Sequence, residues 1–206
     1  MKVAIDTNSL LSLVRYYLPF DKGDTLYNFI KDKIEVGEII IIDKVHEECT
    51  YNTKGLVLEK LDYLNDKPFL KKFKQPYKTD LLLAPSPAKF LRQFDNQFVN
   101  NIIKKQRKLS EVEYDNQKNN HMNGADMKLI ILCLNLIKNH PDEEVYLVTE
   151  ETESSNDNKL FKKIPAICKE LNVKTISLPE LLAKYDSINV EFAVAGKKGQ
   201  TDLFGR

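Results

Sequence analysis

Residues 2–8 read KVAIDTN, and this stretch decides how the chain folds. Residues 2–5 have the composition of a short buried strand, and Asp6 follows that strand directly. From Leu10 onward, apolar residues recur at intervals of three and four, which is the spacing of one helix face. A strand that leads straight into a helix is typical of an α/β fold. The stretch therefore predicts that Asp6 lies at the carboxyl end of a strand.

The same succession of strand and helix recurs along the chain. The sequence predicts further strands over residues 39–42, 145–149 and 173–177, each followed by a helical pattern. Residues 39–42 are apolar on both faces, which is typical of a central strand in a parallel sheet. We expect an α/β fold in which a parallel sheet of about four strands carries helices on both faces.

The alternation stops between about residues 56 and 120. Apolar residues recur there every four positions, at Phe90, Phe94, Phe98 and Ile102. This spacing predicts one long amphipathic helix over about 88–108. Residues 115–123 are polar and rich in asparagine, and they predict a mobile loop. We interpret the segment 56–120 as a helical insertion, or cap, on the α/β domain.

Positive charge is concentrated in this insertion. The 206-residue chain has a net charge of +1, but residues 67–108 hold 11 Lys or Arg and 2 Asp or Glu, a local charge of +9. Such asymmetry predicts a polyanionic partner, RNA or DNA. The residues expected to bind nucleic acid are Lys71, Lys72, Lys74, Arg92, Lys104, Lys105, Arg107 and Lys108. The alternative is a solvated helix face opposite a buried phenylalanine stripe.

Composition excludes several classes of protein. With 42% hydrophobic and 30% charged residues, the chain is too apolar to be disordered throughout. The longest apolar run, residues 129–134, is too short to span a membrane, and Asp6 and Asn8 interrupt any signal peptide. We expect a cytoplasmic protein. Its three cysteines lack CxxC spacing, so we expect them to be reduced and buried.

Motifs of several enzyme classes are also absent from the sequence. It has no GxGxxG or GxxxxGK pattern, so neither a dinucleotide-binding fold nor a P-loop is indicated. It also has no GxSxG pattern, and its three histidines, His46, His121 and His140, have no obvious nucleophile partner. Residues 46–50 read HEECT and begin like the zinc motif HExxH, but Thr50 stands where the second histidine is required.

Four acids fall where predicted strands end or helices begin: Asp6, Glu48, Asp126 and Glu151. The carboxyl ends of parallel strands meet at one edge of the sheet, so these carboxylates are expected to converge. Their mutual repulsion would be relieved by Mg²⁺ or Mn²⁺, which prefer oxygen ligands. The chemistry that such a site performs is phosphodiester hydrolysis. Asn8 and Thr149 are expected to support the ligands by hydrogen bonds.

Each of these acids also has a simpler explanation when taken alone. Asp6 is placed to cap the helix that follows it, and Glu48 is placed to be a solvated helix residue. Asp126 and Glu151 are placed to interact favourably with a helix N-terminus. Only the joint placement of the four acids favours a metal site.

The acids belong to short motifs that together resemble those of PIN-domain nucleases, including VapC-like toxins and their larger relatives. The motifs are VAIDTN at 3–8, VHEE at 45–48, GAD at 124–126 and LVTEE at 147–151. The resemblance implies a Mg²⁺- or Mn²⁺-dependent nuclease, commonly acting on RNA. It also implies that Asp6, Glu48, Asp126 and an acid after Thr149 bind the metal.

The motifs depart from the PIN pattern at two places. The fourth acid of that family is usually an aspartate two residues after the threonine, whereas Glu151 holds this position here, with Glu150 beside it. Glu47 similarly competes with Glu48, which the Val-x-x-Glu spacing of the family favours. The insertion also exceeds the small VapC pattern, so the resemblance does not identify the substrate.

The functional hypothesis is an endoribonuclease of the PIN or toxin type. The rival hypotheses are a DNA nuclease and a nucleic-acid-binding module without catalysis. An antitoxin partner, a homodimer, and the choice between one and two metal ions are left open.

The domain is expected to cover residues 1–186, and residues 187–206 are expected to form a C-terminal tail. The tail contains QTDLF, which resembles the peptide that binds the bacterial sliding clamp, with Gln200, Leu203 and Phe204 as contacts. Such recruitment would favour a DNA substrate. The alternative is that Leu203 and Phe204 fold back onto the domain or pack on another molecule.

Overall fold

A parallel sheet of four strands forms the centre of the fold and confirms the predicted α/β class. The computed structural model describes residues 1–152 and 159–185. The strands, in the spatial order β2-β1-β3-β4, are β1 (Lys2–Ile5), β2 (Ile39–Ile40), β3 (Val145–Val148) and β4 (Lys174–Ile176). In the register of the sheet, Ala4 lies opposite Ile40 and Leu147. All neighbouring strands are parallel.

Helices cover both faces of this sheet. The α-helices of the described residues are α1 (Thr7–Ser12), α2 (Thr25–Glu35), α3 (Asp43–Tyr51), α4 (Leu56–Lys60), α5 (Lys67–Lys72), α6 (Pro87–Gln93), α7 (Asn101–Gln106), α8 (Glu111–Asn123), α9 (Ala125–Asn139), α10 (Ile164–Leu171) and α11 (Leu178–Ala183). Successive strand residues point to opposite faces, and Val3, Ala4 and Ile5 are all fully buried. α9 packs against β1 and β3, α2 against β2, and α10 against β4.

The strand β2 lies at an edge of the sheet, so the prediction of a central strand was wrong. Its apolar residues are buried because the insertion covers the exposed edge. The backbone N–H of Tyr77 donates to the Ile41 carbonyl at 2.8 Å, and that of Asp43 donates to the Tyr77 carbonyl at 2.9 Å. An edge strand covered in this way has the same composition as a central strand.

The insertion is helical, as predicted, but it contains no single helix over 88–108. α6 ends at Gln93, a π-helical turn covers Phe94–Phe98, and Val99 is extended before α7 begins. The break is caused by a distant contact, since Val99 forms an antiparallel bridge with Phe161. The phenylalanine stripe is buried as expected, whereas Ile102 is 68% exposed.

A second prediction for the insertion was also wrong, because the polar residues 115–123 form most of helix α8 rather than a loop. A capping box starts this helix: the Ser110 hydroxyl accepts from the Glu113 N–H, and the Glu113 carboxylate accepts from the Ser110 N–H. The helix is polar because it is mostly exposed, with Tyr114 as its buried residue.

The remaining predictions concern the three cysteines, membrane-spanning helices and the C-terminal tail. Cys49, Cys133 and Cys168 are free and buried, as expected. Within residues 1–152 and 159–185, no helix is long and apolar enough to cross a membrane. The predicted tail, with Gln200, Leu203 and Phe204, lies outside the described residues.

Candidate metal centre

Asp6 lies at the point where β1 ends and α1 begins. Its backbone N–H donates to the Val148 carbonyl at 3.0 Å, which holds the end of β1 against β3. The side chain is only 3% exposed and makes no hydrogen bond that caps α1. Instead, Asp6 Oδ2 accepts a hydrogen bond from Thr149 Oγ1 at 3.2 Å. The helix-capping explanation for Asp6 therefore does not apply.

Thr149 connects two of the predicted acids. Its hydroxyl donates to Asp6, and the same Oγ1 accepts from the Glu151 backbone N–H at 3.2 Å. This supporting role agrees with the one predicted for Thr149. Asn8, which was expected to act similarly, is exposed, and its neighbour Thr7 is buried.

Glu48 is held at the centre by Thr7. The Thr7 hydroxyl donates to Glu48 Oε2 at 2.5 Å, which joins α3 to the start of α1. The competing acid, Glu47, has a side chain that is 64% exposed and pairs with Lys44 at 3.2 Å. The structure therefore brings Glu48 to the centre and turns Glu47 to solvent.

Glu151 and Glu150 are separated in the same way. One Glu151 oxygen lies 3.1 Å from Lys163 Nζ, and the other is buried and has no hydrogen-bond partner among the described residues. Glu150 instead accepts from the Leu178 backbone N–H at 2.9 Å, at the start of α11. Glu151 is therefore the residue with a carboxylate oxygen available to a ligand.

Asp126 completes the group from the first turn of α9. Burial, together with the nearby charges of Glu151 and Glu48, raises the pKa of Asp126 from 3.8 to about 6. Burial, together with the charges of Asp126 and Glu151, likewise raises the pKa of Asp6 to about 7. These mutual influences place the four acids in one electrostatic cluster, which we call the acid cluster.

Oxygen atoms of the acid cluster suit a hard divalent cation. Among residues 1–152 and 159–185, no three His, Cys, Asp or Glu side chains are already grouped tightly enough to hold a metal ion. In the described part of the chain, the buried, unpartnered Glu151 oxygen and the raised pKa values of Asp6 and Asp126 nevertheless mark a site whose negative charge is incompletely compensated. A donor set of carboxylate oxygens fits Mg²⁺ or Mn²⁺.

The comparisons with known proteins identify a family. Residues 83–188 match the model of a family described as "Domain of unknown function (DUF4411)". The chain is a member of the DUF4411 family. No curated protein and no solved structure matches it. The part that matches the DUF4411 model contains Asp126 and Glu151, whereas Asp6 and Glu48 precede it.

A cleft of about 270 Å³ opens beside Asp126 in this DUF4411 protein. It lies between the insertion and the α/β body, and its lining includes Arg107, His121, Lys162 and Lys163. The cleft therefore places cationic side chains next to an acid of the cluster. A larger cleft of about 460 Å³, between Val14 and Lys60, contains none of the predicted site residues.

The predicted nucleic-acid-binding residues are spread over the insertion. Arg107 lines the cleft beside Asp126. Lys104 lies over the Tyr114 ring, with Nζ 3.3 Å from the ring centre. The others are exposed residues of α5, α6, α7 or the turns that follow them: Lys71, Lys72, Lys74, Arg92, Lys105 and Lys108.

Sequence reasoning missed three residues of this region. Thr7 lies in the same motif as Asp6, and a hydroxyl beside a buried acid is a signal that could have found it. Lys163 and His121 carry no such signal, because their proximity to the acid cluster depends on how distant segments pack.

Proposed function

We propose that this DUF4411 protein is a metal-dependent nuclease of the PIN type that cleaves RNA internally. The observation that carries the proposal is the acid cluster itself. Burying Asp6 and Asp126 with Glu48 and Glu151 nearby raises the pKa values of both aspartates, which costs folding free energy. A cation that binds there offsets this cost, and a stability cost localised at one site is typical of function.

Each acid has a defined part in the proposed mechanism. Asp6 and Asp126, the most central acids, hold the main ion, while Glu48 and Glu151 complete its coordination or that of a second ion. Thr149 and Thr7 orient Asp6 and Glu48 by the hydrogen bonds described above. When bound, Mg²⁺ or Mn²⁺ supplies a nucleophilic water at neutral pH and stabilises charge on the leaving oxygen.

Cationic side chains lie beside the acid cluster, and they favour the binding of a polyanionic substrate. Lys163 pairs with Glu151, and Arg107 and Lys162 line the adjacent cleft, so a phosphodiester can lie between acids and cations. A DNA nuclease would use the same acids. A binding module without catalysis would need the cationic cleft but not the buried aspartates, so their stability cost favours an enzyme.

The first test is cleavage of labelled RNA and DNA of the same sequence with Mg²⁺, Mn²⁺ or EDTA. We expect RNA fragments with either metal and none with EDTA, because the carboxylates alone cannot activate water. Cleavage of DNA alone would establish the rival nuclease. Intact RNA and DNA under every condition, with both strands bound, would reject the enzyme in favour of the binding module.

A second test uses the two pairs of adjacent glutamates. We expect Glu48→Gln and Glu151→Gln each to lower cleavage by at least about tenfold, because each removes a carboxylate ligand and about 1.4 kcal/mol of transition-state stabilisation corresponds to a tenfold change in rate. Glu47→Gln and Glu150→Gln are the matched controls, since Glu47 faces solvent and Glu150 binds the start of α11. Equal losses in both members of a pair would contradict the assignment.

A further inference from the structure

The insertion and the α/β body are joined along a short seam. Val99 of the insertion forms an antiparallel bridge with Phe161 of the body. The Asn100 N–H donates to the Leu160 carbonyl at 2.8 Å, and the Lys162 N–H donates to the Phe98 carbonyl at 2.9 Å. These hydrogen bonds fix the backbone on both sides of the seam, so side chains that project from it have defined positions.

Two clefts flank Phe161 on this seam. The first, of about 270 Å³, contains Asp126, and the second, of about 350 Å³, contains the exposed Ile102. Lys159, Phe161 and Lys162 line both clefts. The clefts therefore adjoin across these three residues, and we call the combined surface the seam groove. It leads from the acid cluster toward α7.

Charge along the seam groove is suited to phosphates. Lys159 and Lys162 lie at the junction of the two clefts, and Lys162 is half-buried, where a charge is screened less than on an open surface. Arg107 lines the end near Asp126. The groove therefore presents cations over its length and an acid at the end where a metal ion would lie.

The seam groove also offers apolar surface between these charges. The Phe161 ring stacks on His121, with 4.6 Å between ring centres, and contacts Phe94, with 5.5 Å between ring centres. Burial, together with the nearby charge of Lys159, lowers the pKa of His121 to about 4, so its ring is neutral at physiological pH. Ile102 and Val99 add aliphatic surface in the second cleft. Nucleobases stack or pack on such surfaces while their phosphates contact cations.

We infer that the seam groove binds the substrate strand on one side of the bond that is cut. Lys159 and Lys162 contact its phosphates, and the surface formed by Phe161 and Ile102 supports its bases. The inference rests on the proposed function for the reaction at Asp126, but the binding itself does not require metal. The inference places the phosphate contacts of the strand at the seam and not at the exposed lysines of α5.

The test compares two double variants with the same change of charge. Lys159→Gln with Lys162→Gln alters the seam groove, and Lys22→Gln with Lys138→Gln alters exposed lysines outside both clefts and outside the insertion. Binding of a short fluorescent RNA or DNA strand is measured by anisotropy in EDTA over a range of salt concentrations. We expect the seam variant to bind about tenfold more weakly and to lower the log-log salt slope by about 1.4, or about 0.7 for each lost phosphate contact. The control variant should bind as wild type does.

A second pair of variants tests the apolar part of the groove without disturbing the core. Ile102→Asp places a negative charge in the second cleft and should weaken binding severalfold. Val112→Asp is the control, because Val112 is similarly exposed on α8 and lies outside both clefts. Equal behaviour of the two variants would overturn the role given to Ile102.

The outcomes separate this inference from the proposed function. Unchanged affinity in the seam double variant, or equal losses in the seam and control variants, would overturn the seam groove as the binding site. Binding that depends on the seam, without cleavage in Mn²⁺, would retain the groove and reject the nuclease. Cleavage in Mn²⁺ that is insensitive to the seam variants would retain the nuclease and reject the groove. RNA and DNA strands tested side by side identify which polynucleotide the groove prefers.

Discussion

Asp6→Asn is expected to lower metal-dependent cleavage by about 10³-fold or more, because a lost metal ligand removes several kcal/mol of transition-state stabilisation at about 1.4 kcal/mol per tenfold. An asparagine side chain keeps the size of aspartate and can still accept the Thr149 hydrogen bond. The substitution is therefore expected to lower the cleavage rate and to leave the protein folded. The measurement is initial cleavage rate in Mn²⁺ with equal amounts of the two proteins.

Nucleic-acid binding provides the internal check for this variant. In EDTA, Asp6→Asn should bind the RNA strand at least as tightly as the wild-type protein, because the substitution removes a negative charge near the phosphates. Asp32→Asn, at an exposed position of α2, is the matched control and should cleave normally. A cleavage rate within a few fold of wild type in Asp6→Asn would reject the acid cluster as the catalytic site.

The positions of three acids could be predicted because they depend on local sequence and one general rule. Asp6 follows a short apolar strand, Glu48 lies in the second turn of α3, and Asp126 lies in the first turn of α9. In a parallel sheet the carboxyl ends of the strands share one edge, so local boundaries are enough to bring such residues together. The same reasoning identified Thr149, which follows β3 and hydrogen-bonds to Asp6.

The choice between adjacent glutamates could not be made from residue spacing in the strands alone. Glu150 and Glu151 follow the same strand, and the one that turns inward is decided by the start of α11, whose Leu178 N–H binds Glu150. That contact spans 28 residues of sequence. For Glu47 and Glu48, the deciding groups are Lys44 on the same helix and Thr7 on α1.

The wrong prediction of a single helix over 88–108 has a physical cause. Periodicity over 88–108 describes which residues are buried, and the phenylalanine stripe is indeed buried. It does not show whether the backbone stays helical between them. The bridge between Val99 and Phe161 replaces helical hydrogen bonds with bonds to the body, and tertiary contacts of this kind override local propensity. The seam groove exists because of that break.

The second large effect is expected in stability, where Mn²⁺ should remove the difference between Asp6→Asn and the wild-type protein. In EDTA at neutral pH the variant should be more stable, by up to about 4 kcal/mol, because a pKa near 7 in place of 3.8 corresponds to about 1.4 kcal/mol per unit. The folded state binds the Asp6 proton more tightly than the unfolded state does. Wild-type stability should therefore fall as the pH rises from about 4 to about 7, and this contribution should be absent from the variant.

Mn²⁺ should offset this difference, because an ion that binds only the folded state adds to the free energy of unfolding. At a concentration 1,000 times its dissociation constant the gain is about 4.1 kcal/mol, which corresponds to a rise in Tm of about 8 to 16 °C for a chain of this size. The variant lacks one carboxylate ligand, so its Tm should change little. The measurement is thermal unfolding of both proteins in EDTA and in Mn²⁺, with Asp32→Asn as the control.

Equal increases in Tm for wild type and Asp6→Asn would show that the ion binds away from the acid cluster. A variant less stable than wild type in EDTA would show that the Asp6 charge is compensated within the protein, and it would remove the stability argument for a metal site.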